Sequence, residues 1–80
     1  MWKVYILKSV RFKKSYVGCT SDLPRRLSEH NNGKSYYTKR FMPWTILKVE
    51  DFETYSEARK RENFYKSGVG RQELNKIFNT

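Results

Sequence analysis

The 80-residue sequence predicts an α/β fold with the element order strand, strand, helix, strand, helix, helix. Three observations carry that reading. Trp2 to Lys8 places apolar side chains on both faces of an extended segment, and Ser15–Thr20 and Trp44–Phe52 have strand character. A cluster of helix-capping residues at Thr20, Ser21 and Asp22 precedes leucines four apart. Thr54 and Glu57 have the spacing of a capping box, followed by a second helical pattern.

In the first strand, Trp2, Val4 and Ile6 alternate with Lys3, Tyr5 and Leu7, which predicts a sheet covered on more than one side. Val10 to Lys14 is short and basic and suits a hairpin connection into the second strand. Gly18 in that strand removes a side chain where another group needs close approach. Pro24 fits only a helix's first turn, Leu23 and Leu27 form the predicted buried stripe, and Arg25, Ser28 and Glu29 face outward. Asn31, Asn32 and Gly33 are expected to supply left-handed backbone for the stop. Arg26 and His30 are four apart, a stacked polar pair on the edge of the leucine stripe. The basic, aromatic run Lys34–Trp44 reads as a loop, because Pro43 disfavours helix at Met42. Charges at Lys48, Glu50 and Asp51 suit an edge position for the third strand. Tyr55, Ala58, Glu62 and Tyr65 share one face of the second helix, which Gly68 and Gly70 are expected to end. Leu74, Ile77 and Phe78 mark a short final helix that closes the core.

The length predicts one domain, residues 1–80, near the lower limit for an independent core. With 38% hydrophobic and 16% aromatic residues the chain is globular, and aromatics carry much of the burial. A formal net charge of +9 on so small a surface favours a polyanionic partner, phosphate backbone above all. No basic amphipathic helix with a clean apolar face stands out, so no membrane partner is expected. Cys19 is the one cysteine, which excludes an intrachain disulfide and thiolate zinc clusters. The N-terminus is interrupted by Lys3 and Lys8, and a soluble cytoplasmic protein is the expectation.

Glu62 is the anomaly of this pattern. A carboxylate on a core-facing stripe must be paired, protonated or bound to a metal. One alternative is an ion pair with one of the seventeen Lys and Arg residues. The other is a divalent ion that keeps most of its waters and is completed by substrate phosphate. Tyr5 and Tyr16 lie on neighbouring strands if the hairpin forms. With an arginine, a histidine and a carboxylate nearby they would surround one phosphodiester with donors, a proton acceptor and an anion clamp.

These segments, taken together and in order, resemble the GIY-YIG nuclease superfamily, and within it the small members similar to the N-terminal nuclease domain of the bacterial excision-repair C subunit. Val4-Tyr5-Ile6 is similar to the first signature and Tyr16-Val17-Gly18 to the second. The helix motif appears as Thr20 to Gly33, with Arg26, Leu27 and His30 at its motif positions. Thr38 and Pro43-Trp44 look like the loop before the third strand, and Ala58 to Lys66 like the helix that carries the metal ligand. Val4 stands where many members have glycine. The resemblance implies a three-stranded antiparallel sheet flanked by helices and metal-dependent hydrolysis of DNA, in a repair or recombination setting. It makes Tyr5 the candidate general base, acting with Tyr16, and Arg26 the phosphate clamp. His30 becomes a phosphate or proton-transfer residue, and Glu62 the ligand of one magnesium or manganese ion. Lys3 and Arg26 are the cations expected to favour a Tyr5 phenolate. DNA is the implied partner, with room for a protein partner that supplies specificity. The alternative is a non-catalytic nucleic-acid-binding module that retains the nuclease fold. A basic scaffold for another protein is a third. Lys34, Tyr36, Tyr37, Lys39, Arg40 and Phe41 suit phosphate and base contacts or a solvated loop equally well, and none is assigned a contact.

Overall fold

In the computed structural model, which describes residues 1–78, the central strand is β1 (Trp2–Ser9), paired antiparallel with β2 (Ser15–Thr20) and β3 (Trp44–Phe52) in the order β2-β1-β3. Its centrality follows from its side chains. Val4, Tyr5, Ile6 and Leu7 are each at most 1% exposed, which requires cover on both faces. Val4 and Ile6 join Val17, Ala58 and Tyr65 on one side, where Leu74 and Ile77 complete the layer. Tyr5 and Leu7 join Trp44 on the other, packed by Leu23, Leu27, Phe41 and Val49. β3 is an edge strand as its charges predicted, and a register irregularity between Ile6 and Leu7 interrupts its pairing with β1.

The helices α1 (Leu23–Asn31), α2 (Tyr55–Lys66) and α3 (Gly68–Phe78) divide between those faces, α1 on the Tyr5 side and α2 and α3 on the Val4 side. Asp22 caps α1 by accepting from the Arg25 N–H at 3.3 Å. Thr54 caps α2 by accepting from the Glu57 N–H at 3.2 Å, while its hydroxyl donates to the Glu57 carboxylate.

Several expectations need correction. Leu23 and Leu27 are only half-buried, and the residue of α1 that enters the core is His30, fully enclosed. Among the residues proposed to stop α1, only Gly33 has left-handed backbone (φ +77°). Asn31 is still helical, and its amide clamps the Trp44 backbone instead, accepting from N–H at 2.6 Å and donating to C=O at 3.1 Å. Tyr55 is half-exposed, resting edge-on against Trp2 rather than entering the core with Ala58, Glu62 and Tyr65. Gly68 and Gly70 lie inside α3 and do not end α2, which stops at Lys66. The final helix is therefore longer than the apolar pattern implied. The segment before β3 contains a 3₁₀ turn at Thr38–Arg40. Thr38 is buried there, and its carbonyl accepts from the Trp44 indole at 2.8 Å.

Candidate active site

Tyr5 and Gly18 face each other across the β1–β2 register. The Tyr5 ring crosses over Gly18, where an added Cβ would lie 2.7 Å from Tyr5 Cζ and closer still to the hydroxyl. The second strand thus carries a glycine because the phenol occupies the space of a side chain. Beyond the glycine the phenol meets His30, with 3.0 Å between the hydroxyl and Nε2. The other ring nitrogen, Nδ1, is 2.7 Å from Thr38 Oγ1. Tyr16 packs against both rings, with centroids 6.3 Å from Tyr5 and 4.9 Å from His30.

Arg26 lies beside the same phenol and donates to Glu29 at 3.0 Å. A guanidinium only donates, so the Tyr5 oxygen is an acceptor on that side and its hydrogen is left for His30 Nε2. Donor accounting therefore assigns His30 the Nδ1–H tautomer, donating to Thr38. Burial pushes the imidazole down to about 4, and the Arg26 charge adds to the effect, so His30 is neutral near pH 7. Burial pushes the Tyr5 phenol up to about 12; Arg26 opposes the shift, while the charges of Tyr16 and Glu62 reinforce it. Arg26 thus favours the phenolate as expected, but burial outweighs it. Lys3 pairs with Asp51 across the β1–β3 register.

Glu62 approaches from the opposite face of the sheet, next to Cys19 of β2, and is 5% exposed. Its carboxylate accepts from Arg59 Nη1 at 2.9 Å and Lys66 Nζ at 2.8 Å. Burial opposes its ionisation, yet Lys66, Cys19 and Arg59 hold the carboxyl below its ordinary range. The ion-pair alternative for Glu62 is therefore realised. Its charge still reaches Tyr5, although among the described residues it makes no hydrogen bond to Tyr5, Tyr16, Arg26 or His30. The structure thus brings four of the sequence-selected residues into one cluster and sets the fifth across the sheet, coupled to the phenol by charge.

No group of three or more His, Cys, Asp or Glu side chains suited to a metal occurs among the described residues. A protein-caged ion does not fit. A carboxylate has about four acceptor positions; on Glu62, Arg59 and Lys66 take two and the Cys19 thiol engages a third. The remainder fits an ion such as magnesium that is bound through one carboxylate and keeps its waters.

The supporting residues Thr38, Trp44 and Asn31 were not assigned roles from the sequence. Thr38 orients His30, Trp44 holds the Thr38 carbonyl, and Asn31 holds Trp44. A buried tryptophan needs a partner for its indole N–H, and that need is the signal that points to the loop before it.

A family model described as the GIY-YIG catalytic domain matches residues 1–75. The chain is 43% identical over 63 residues to a UPF0213 protein of Listeria welshimeri, an alignment covering 78% of this chain and 69% of that one. It is 37% identical over 75 residues to a UPF0213 protein of Clostridium perfringens, covering 92% and 80%. A UPF0213 protein of Listeria innocua is 46% identical over 52 residues, and there the match spans only 58% of the relative's length. The solution structure of the UPF0213 protein BH0048 from Bacillus halodurans superposes with a TM-score of 0.56 at 30% identity, covering 96% of this chain and 85% of that one. With its sheet order, its paired tyrosines and a match along nearly its whole length, the chain belongs to the GIY-YIG catalytic domain family.

Proposed function

We propose that the chain is a divalent-metal-dependent endonuclease that hydrolyses phosphodiester bonds in DNA, in a repair or recombination setting. The observation that supports it most is the buried Tyr5–His30 hydrogen bond flanked by Arg26, a proton path beside an anion clamp. A phenol held at about 12 is not a standing base at neutral pH. Tyr5 acts instead as a relay. Its oxygen takes the proton of the attacking water while its own proton passes to His30 Nε2. Substrate phosphate held by Arg26 brings negative charge towards the enclosed Tyr5–His30 pair, which raises the imidazole's affinity for that proton. Arg26, a third exposed, donates to the non-bridging oxygens as charge builds on them. Tyr16 packs against the His30 ring. Glu62 would hold a magnesium or manganese ion, and such an ion would supply charge neutralisation for the leaving oxygen.

A second reading, a binding module without catalysis, draws on the double pairing of Glu62 by Arg59 and Lys66 and on the protonated Tyr5. The two part in a cleavage assay over duplex, branched, nicked and single-stranded DNA with magnesium, manganese or EDTA. The hydrolytic reading expects metal-dependent cutting of at least one substrate. Binding with no cutting under any of these conditions supports the module.

A further inference from the structure

Along the free edge of β2 runs an open groove of about 780 Å³ between the hairpin, the Tyr37 loop and the α2–α3 junction. Its cations are Lys13, Lys14, Lys66 and Arg71, and among the described residues no acidic side chain lines it. Lys13, Lys14 and Arg71 are exposed, and among the described residues none of the three pairs with a carboxylate. This contrasts with the candidate active site, where Arg26, Arg59 and Lys66 each have an acidic partner. The groove also presents aromatic surface. Tyr37 is 44% exposed and stacks on Tyr16 with centroids 6.1 Å apart and planes 30° from parallel.

From this combination we infer that the groove binds an unpaired nucleic-acid strand, the stretch flanking the phosphate to be cut. The inference rests on the proposed function for the word "cut" and extends it by naming a substrate class. Unneutralised cations in a row answer a phosphate backbone. Exposed tyrosine faces serve bases only when these are not stacked inside a duplex. The groove is continuous with the candidate site at both walls, since Tyr16 also packs on His30 and Lys66 also donates to Glu62. A strand lying in it is therefore led to Arg26 and Glu62. The sequence marked the loop as basic and aromatic but gave no sign that α3 supplies Arg71 to the same surface.

The test is binding without chemistry, by fluorescence anisotropy in EDTA with labelled single-stranded DNA, the RNA of the same sequence, and the corresponding DNA duplex. The wild type should bind the single strand more tightly than the duplex. Lys13→Gln and Arg71→Gln should each weaken it and reduce the salt slope by about 0.7. Tyr37→Ala should weaken single-strand binding by about fivefold or more and leave duplex binding unchanged. The RNA arm identifies the sugar, and binding of either strand through these residues supports the groove. Equal affinity for strand and duplex, or affinity and slope unmoved by both charge substitutions, overturns it. A chain that binds this way yet cuts nothing overturns the hydrolytic reading alone. One that cuts while the groove variants bind like wild type overturns the groove alone.

Discussion

An alanine at position 18 would bring its Cβ against the Tyr5 phenol, within 2.7 Å of Cζ. Either the ring or β2 has to move. Overpacking of this kind costs about 1–3 kcal/mol, and any tilt of the ring lengthens the 3.0 Å contact to His30. Gly18→Ala should therefore lower the unfolding midpoint and depress nicking at least tenfold, read by urea denaturation and single-turnover kinetics; wild-type values in both would contradict the role given to this glycine. His30 makes a separate prediction. Its pKa is near 4 in the fold against 6.5 for the free imidazole, so the unfolded chain binds more protons between those values. The neutral imidazole's contribution is complete above pH 6.5 and is lost as pH falls towards 4, by roughly 3 kcal/mol. Urea midpoints measured from pH 7 to about pH 4.5 should fall for wild type and fall less for His30→Gln, whose remaining slope belongs to carboxylates such as Glu62 that the fold holds below their ordinary range. A level wild-type profile would contradict the buried neutral ring. The need for a glycine at 18 was legible in the sequence, because a small residue amid strand formers asks for a close neighbour. The depth of His30 was not legible, since helical spacing reports which face a residue takes and not how far the sheet lets it in.

At the level of elements, α2 and α3 meet through Gly70. An added Cβ there would collide with the Phe64 carbonyl oxygen and lie 2.7 Å from the Tyr65 Cα, so backbone and not a yielding side chain stands in the way. Gly70→Ala should cost about 1–3 kcal/mol or more, measured by urea unfolding. Because Arg71 is the next residue, the variant should also weaken nucleic-acid binding; unchanged stability would show that the helices do not approach so closely. Strand and cap signals are local and were legible. Thr54 and Glu57 start α2 as their spacing predicts, and β3 begins at Trp44 after Pro43. The start of α3 was not, because glycine at a helix end and glycine at a helix crossing look alike until the partner helix is known. The same limit applies to Asn31. Its place two residues before Gly33 suggests a turn, whereas its amide is taken up by a strand thirteen residues away.

For the whole molecule, the net charge of +9 divides into two populations. Cations such as Arg26, Arg59, Arg61 and Lys66 are held by acids, whereas Lys13, Lys14 and Arg71 line the groove and among the described residues pair with no carboxylate. No helix among the described residues is long and apolar enough to cross a membrane. The five sequence-selected residues lie far apart along the chain, and what unites them is the β2 rim, with Tyr5 crossing it from one face and Glu62 reaching it from the other. In the proposed reaction these groups act as one hydrolytic unit. Its most direct test is single-turnover nicking of DNA in magnesium by wild type, Tyr5→Phe, Arg26→Ala and Glu62→Gln, purified identically and checked for fold by circular dichroism. The account predicts metal-dependent nicking by wild type, lost in EDTA and reduced about 100-fold or more in each folded variant. Nicking at the wild-type rate by folded Arg26→Ala or Glu62→Gln, or undiminished in EDTA, would contradict it.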